Sequence, residues 1–144
     1  MAERRFGSHI PTQAVILPFE KSKGSEAVGL YEESKRTAQD WQRLLLNDIM
    51  ACDPDGIWIH QKFGYEVPRQ NGKNVCLEAR EFFGLVVKGE RILHTAHQVR
   101  TAKKSFRRLA AMFTDKRHPE VTDLVKQIRY TNGEESIELL NGGT

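Results

Sequence analysis

The sequence predicts an α/β fold: a mostly parallel sheet with flanking helices, ending in a C-terminal β-hairpin. Three observations carry that expectation. Apolar segments of strand length alternate with helix-period segments in the order strand, helix, strand, helix, which implies right-handed crossovers within one sheet. The stretch Val67-Pro68-Arg69-Gln70-Asn71-Gly72-Lys73-Asn74 joins an expected strand over residues 57–66 to an expected helix starting at Val75. At such a junction a loop can aim backbone N–H groups and a helix N-terminus at one anion. Asn132-Gly133, between apolar stretches at 128–131 and 136–140, is a hairpin signal.

Composition narrows the class. A chain of 144 residues has the size of one domain and can bury roughly 70% of the surface exposed by its unfolded form. With 39% hydrophobic and 28% charged residues it falls among soluble globular proteins. The net charge of +3 permits nucleic-acid binding without requiring it. No apolar run approaches the roughly 20 residues of a membrane span, and no signal-peptide core follows the basic start, so no membrane partner is expected. Cys52 and Cys76 lie outside any C-x-x-C spacing and read as buried thiols of a reducing cytoplasm.

In chain order, residues 1–36 lack clear periodicity and read as an N-terminal arm, with Val15-Ile16-Leu17 as one short strand before Pro18. Residues 37–144 form the main domain. Thr37 is expected to cap a helix with Asp40 near its positive end, and Trp41, Leu44, Leu45, Ile49 and Cys52 share its apolar face. Asp53-Pro54-Asp55-Gly56 is a stop and turn. After the loop, residues 75–87 read as mostly helical, with Val75, Leu77, Ala79, Phe82 and Phe83 buried. Lys88-Gly89-Glu90 turns into a short strand over residues 91–96. Residues 99–116 are the clearest helix, with Val99, Ala102, Phe106, Leu109, Ala110 and Phe113 on one face. Pro119 opens a short helix through Val125, and the hairpin follows. Asn141-Gly142 signals a further turn, after which another strand is expected.

The loop carries the main site. Lys73 supplies a full charge, Gly72 permits close backbone approach or positive φ, and Arg69 lies in the same loop, where it could neutralise charge developing on a γ-phosphate. Against the usual phosphate-loop pattern, Val67 stands where the first Gly is expected and Asn74 where a hydroxyl residue would hold Mg²⁺. An Asn carbonyl can still ligate a hard cation. Gln42 has an amide suited to an adenine edge, although by chemistry alone a polar helix position is expected to be solvated. Arg100, Lys103, Lys104, Arg107 and Arg108 form a dense basic face that could meet DNA phosphates or simply face solvent. His94 and His97 have no third ligand close by in sequence, and Glu66, Glu78 and Glu81 show no acid–base spacing. No apolar run ending in Asp-Glu follows Lys73, so the metal-holding strand of a nucleotide-hydrolysing sheet is missing from the parts.

Three segments together resemble the large terminase subunit of tailed bacteriophages, over roughly residues 31–144. Thr37-Ala38-Gln39-Asp40-Trp41-Gln42-Arg43-Leu44-Leu45-Leu46 is similar to that family's glutamine-bearing helix ahead of the ATP site. Residues 67–74 resemble its variant Walker A loop, which often lacks the first Gly and carries Arg four residues before the Lys. Ile92-Leu93-His94-Thr95-Ala96-His97, followed by Thr101-Ala102 and Phe106, resembles the next segment.

The resemblance implies the first part of a P-loop ATPase domain, incomplete, with only the early strands of its sheet. ATP and Mg²⁺ would be its cofactors. Lys73 would hold the β/γ-phosphates, Arg69 would be the loop arginine, and Gln70, Asn71, Gly72 and Asn74 would complete the cradle, with Asn74 as the Mg²⁺ ligand. Gln42 would contact adenine. Lys103, Lys104, Arg107 and Arg108 remain candidates for DNA. The full-length protein would be an ATP-driven motor that packages double-stranded viral DNA into proheads. It would work as a ring homo-oligomer on the portal protein, with a small terminase subunit, in the cytoplasm of an infected or prophage-carrying bacterium. The Walker B and nuclease parts are not in this chain, which is therefore expected to be a fragment and inactive alone as an ATPase. The alternatives are a non-catalytic DNA- or partner-binding remnant, or a fragment of another P-loop motor such as a helicase.

Overall fold

The computed structural model describes residues 7–144; the start of the expected arm, residues 1–6, lies outside them. The class is mixed α/β, and the helices dominate the core. In order, the elements are β1 (Lys21–Ser22), α1 (Gly24–Glu33), α2 (Asp40–Ile49), β2 (Ala51–Cys52), α3 (Asn74–Phe83) continued by a π-helical turn (Gly84–Lys88), α4 (Val99–Phe113), α5 (Pro119–Thr122), β3 (Val125–Arg129) and β4 (Ser136–Leu139). Helix α1 packs on α2 and α3, and α3 packs on α4.

The mostly parallel sheet is not what forms. Among the described residues the strands make two antiparallel pairs, β1 with β2 and β3 with β4. The reason lies in the turn at Asp53-Pro54-Asp55-Gly56. Gly56, at φ +81°, lets the chain reverse at once. Ile59 N–H then donates to Ala51 O at 3.0 Å, and Trp58 bridges Cys52 antiparallel. The segment expected as a strand over residues 57–66 is thus the short return of a hairpin, followed by irregular chain. Residues 91–96, expected as a short strand, do not form one; Ile92 N–H donates to Thr144 O at 2.7 Å, and no other residue of the segment has a backbone partner among the described residues.

Two helix expectations shift. The arm is shorter than residues 1–36, because α1 lies within it and buries Ala27, Val28 and Tyr31 in the common core. Val15-Ile16-Leu17 is not a strand; Val15 is 97% exposed. Helix α2 is capped at Gln39 instead of Thr37. It buries Gln42, Leu46 and Met50, while Leu44 faces outward and Trp41, Leu45 and Ile49 are half-buried.

The remaining expectations hold in outline. Helix α3 follows the loop directly and buries Cys76, Ala79, Phe82 and Phe83, though Leu77 is exposed. Phe82 meets Phe113 of α4 edge to face, with centroids 5.1 Å apart. Val99 of α4 is exposed. Pro119 sits in the first turn of α5. The hairpin turns at Gly133, φ +85°, and inserts Ile137 and Leu139 into the core. No helix is long and apolar enough to cross a membrane among the described residues.

Past the hairpin, Asn141 reaches back to the end of the π-helical turn. Its Nδ2 donates to Leu85 O and to Val86 O, both at 2.9 Å, supplying donors to carbonyls the helix end leaves open. Gly89, at φ +62°, closes that turn against the Asn141 backbone, where a Cβ would lie 2.8 Å from Asn141 O.

Gly24 is where α1 crosses α2. A Cβ there would lie 2.5 Å from Asn47 Cα and 2.6 Å from Asn47 N, so only glycine permits this approach. At Gly29, on the outer face of the same helix, a Cβ would meet nothing within 4 Å. Urea unfolding should therefore separate the two substitutions. Gly24→Ala should destabilise by about 1–3 kcal/mol through overpacking, whereas Gly29→Ala should stabilise by about 0.5–1 kcal/mol through helix propensity.

Candidate functional site

The loop of residues 67–74 is exposed along most of its length, and its backbone is held from two sides. Gln42, only 2% exposed, donates from Nε2 to Gly72 O at 2.9 Å. Its Oε1 accepts the Gln39 N–H at 2.7 Å, at the N-terminus of α2. One buried amide thus ties the start of α2 to the loop before α3. From the other side Tyr65 Oη donates to Lys73 O at 2.9 Å. Burial, with Cys76 and Glu81 adding to it, pushes the Tyr65 phenol up to about 12, so it remains a neutral donor at physiological pH.

Conformation in the loop follows from these ties. Gly72 takes φ +73°; a Cβ there would lie 2.9 Å from Gln42 Nε2. Gln70 also adopts a positive φ, +65°. Val75 N–H returns to Gly72 O at 3.0 Å, and Lys73 already has helical φ and ψ as the residue before α3. The N–H groups of Gly72, Lys73 and Asn74 find no backbone acceptor among the described residues, as the first donors of a helix do unless something outside supplies one. The side chains of Arg69, Gln70, Asn71 and Lys73 are exposed. Among the described residues Arg69 and Lys73 enter no ion pair. Backbone donors, a helix start and two unpaired cations therefore share one short stretch, a set that suits a polyphosphate.

Gln42 stands elsewhere than chemistry alone suggested. It is buried instead of solvated, and both ends of its amide are engaged within the protein, which leaves one N–H for any further partner. The metal donors do not fit. Asn74 is a half-buried residue at the start of α3, and the described residues contain no cluster of His, Cys, Asp and Glu able to hold a metal ion. A single amide oxygen is too little for Mg²⁺.

The basic face of α4 divides in two. Lys103 pairs with Glu135 at 3.3 Å and also hydrogen-bonds Asn132. The Arg108 Nε lies 2.9 Å from Glu78 Oε1. These two DNA candidates are engaged inside the molecule. Arg100, Lys104 and Arg107 are exposed, and at i, i+4 and i+7 they form one outward stripe.

Sequence reasoning missed the two carboxylates of α3. Glu78 is 1% exposed and Glu81 is 9% exposed. Burial raises the Glu78 carboxyl above its ordinary range, against the pull of Arg108 and Arg36, and Tyr31 Oη also faces it at 3.5 Å. Glu81 meets His94 Nδ1 at 2.6 Å, so His94 is engaged with a carboxylate and His97 lies apart, on the exposed surface. The available sequence signal was spacing: Glu78 and Glu81 interleave with Ala79, Phe82 and Phe83 on a helix too apolar to expose all its other faces. Cys76 is fully buried, and burial pushes its thiol up to about 12, which removes it from thiolate chemistry.

Removing the Gln42 amide should loosen the loop and α2 together. Gln42→Ala should cost about 1–3 kcal/mol, since two hydrogen bonds in a part-buried setting are lost together, those to the Gly72 carbonyl and from the Gln39 N–H. Amide exchange at Gly72–Val75 and at the first turn of α2 should accelerate in parallel; acceleration confined to one of the two would show that the amide does not couple them.

Comparison with protein-family models, with curated proteins and with solved structures gives no significant match in any of the three.

Proposed function

We propose that the loop of residues 67–74 binds the phosphates of ATP, and that the chain is the N-terminal part of the ATPase domain of a phage terminase large subunit. The observation that carries the reading is the doubly held loop: Gln42 on Gly72 O and Tyr65 on Lys73 O fix the backbone, while the Lys73 and Arg69 side chains and the N–H groups of Gly72, Lys73 and Asn74 stay available. A preorganised anion site needs that combination, because ordering a loop at the moment of binding would subtract from affinity. In this reading Lys73 would hold the β/γ-phosphates, Arg69 would neutralise charge on the γ-phosphate, and Gln42 would act first as the support of the loop, with one N–H left for adenine.

The reading extends to a P-loop sheet completed by strands not present here, to Mg²⁺ held by acidic residues outside these elements, and to a packaging motor: viral double-stranded DNA, the portal protein, the small terminase subunit and a ring of copies in the host cytoplasm. With no metal-holding cluster among the described residues, this chain should bind ATP without turning it over. Calorimetric titration with ATP should show binding that Lys73→Ala weakens about tenfold or more, the worth of a charge-assisted hydrogen bond, with no phosphate release in either protein. Affinity indifferent to Lys73→Ala, or rapid turnover by the wild-type chain, would overturn the reading.

A second reading, a DNA-binding module, is favoured by the outward stripe on α4. It predicts salt-dependent DNA binding that survives Lys73→Ala. Neutralising Arg100, Lys104 and Arg107 together should flatten the plot of log affinity against log salt by about 2–3, near 0.9 for each DNA phosphate that no longer meets a cation. Neutralising Lys103 should leave that slope unchanged, because its charge is already matched by Glu135.

A further inference from the structure

The sequence holds three Asn-Gly pairs, Asn71-Gly72, Asn132-Gly133 and Asn141-Gly142, and every one of these residues is exposed. In such a pair the main-chain nitrogen of the glycine can attack the side-chain amide before it, because glycine has no Cβ to obstruct the approach. By sequence and by exposure the pairs are alike. Their hydrogen bonds separate them.

In two of the pairs both reacting groups are held. Asn132 Oδ1 accepts from Lys103 Nζ, and Gly133 N–H donates to Glu135 Oε2 at 2.9 Å. Asn141 Nδ2 donates to Leu85 O and Val86 O, its Oδ1 accepts from Gly143 N–H at 3.0 Å, and Gly142 N–H donates to Leu139 O at 3.1 Å. Ring closure at either pair must first break these bonds. At Asn71, among the described residues, neither the side chain nor the Gly72 N–H has a hydrogen-bond partner. Residues 67–71 make no backbone hydrogen bond there either, while Gly72 O is fixed by Gln42 and by Val75 N–H. Asn71 can therefore turn its amide toward a nitrogen that stays in place, and an approach that breaks no bond favours an intramolecular reaction. Electrostatics point the same way. The attacking nitrogen must give up its proton and become an anion. Glu135 opposes an anion at Gly133, whereas Lys73 and Arg69, neither of them in an ion pair among the described residues, favour one at Gly72.

We propose that Asn71 is a site of spontaneous deamidation, and that the reaction places a negative charge in the loop of residues 67–74. Hydroxide takes the Gly72 amide proton, the nitrogen bonds to Asn71 Cγ, and the Cγ–Nδ2 bond breaks with release of ammonia, completed by a proton from water. The cyclic imide then adds water at one of its carbonyls. Opening one C–N bond gives aspartate; opening the other gives isoaspartate, in which the main chain runs through the β-carbon. Water is consumed, ammonia is released, and nothing is oxidised or reduced. Either product exchanges a neutral amide for a carboxylate in the loop that holds Lys73 and Arg69. A loss of affinity for ATP would follow from the loop reading; the modification itself does not rest on it.

The test is peptide mapping by mass spectrometry of the whole 144-residue chain, aged at mildly alkaline pH under native conditions and, in parallel, in urea. In the native chain Asn71 should convert about tenfold or more faster than Asn132 and Asn141, the disadvantage set by bonds that must open first. In urea the rates should draw together. The proposal is overturned if native Asn71 converts no faster than the other two. It is equally overturned if urea leaves the spread unchanged, which would assign the difference to neighbouring side chains and not to the fold. Ageing in saturating ATP separates this result from the loop reading. Phosphates on the Gly72 N–H should slow conversion at Asn71 alone; an Asn71 rate indifferent to ATP would count against the ATP site and leave the modification standing.

Discussion

Gln42 holds together the two parts of the molecule that matter most to its proposed chemistry. Its side chain lies out of water between α2 and the loop, with the carbonyl end on Gln39 N–H and the amino end on Gly72 O. A buried amide with both ends engaged is stabilising, but an amide with one end unmet costs about 1–3 kcal/mol. The loop can therefore relax only if the helix start relaxes with it. Gly72 is the matching condition, because a side chain there would press on the same amide. Tyr65 adds the opposing hold on Lys73 O, and α3 starts from a backbone fixed on both sides. The hold is on Gly72 and Lys73, while residues 67–71 make no backbone hydrogen bond among the described residues.

A second constraint is electrostatic and lies deeper. Helix α3 turns Glu78 and Glu81 inward, and each is met from elsewhere, by Arg108 of α4 and by His94. Carboxylates removed from water require such partners. The pairing also decides what α4 shows to the outside. With Arg108 drawn to Glu78 and Lys103 to Glu135, the uncompensated charge of α4 is reduced to Arg100, Lys104 and Arg107. One buried acid of α3, Glu78, and one acid of the hairpin turn, Glu135, thereby decide which charges of α4 stay unmatched.

Local signals were legible in the sequence and non-local ones were not. The α3 and α4 helices, the Pro at the start of α5, the Asn-Gly hairpin and the loop ahead of α3 each rest on residues close together in the chain, and each stands near its expected place. Helix α1 was hidden because residues 1–36 show no clear periodicity; Gly24 is there because the α2 backbone comes so close that a Cβ would lie 2.5 Å from Asn47 Cα, a fact about a distant residue. The parallel sheet was inferred from apolar runs, but strand direction depends on partners, and Gly56 folds residues 57–59 back onto β2. The burial of Gln42 and the engagement of Lys103 and Arg108 likewise depend on residues 30 positions away for Gln42 and Gly72 and for Arg108 and Glu78. No periodicity within one helix carries that information.

Asn141 gives the fold an order in time. The carbonyls at the end of the α3 and π-helical segment are met by a side chain 56 residues further along the chain for Leu85, and synthesis delivers that side chain only after α4 and the hairpin have emerged. Until then the helix end has no partner but water. A contact of such sequence separation forms late, because a long loop must close before it contributes. The end of α3 should thus be among the last parts of the molecule to become rigid, while its start, tied to Gln42, can be set early. The helix that carries the candidate site at one end is completed at the other end by Asn141, just past the hairpin.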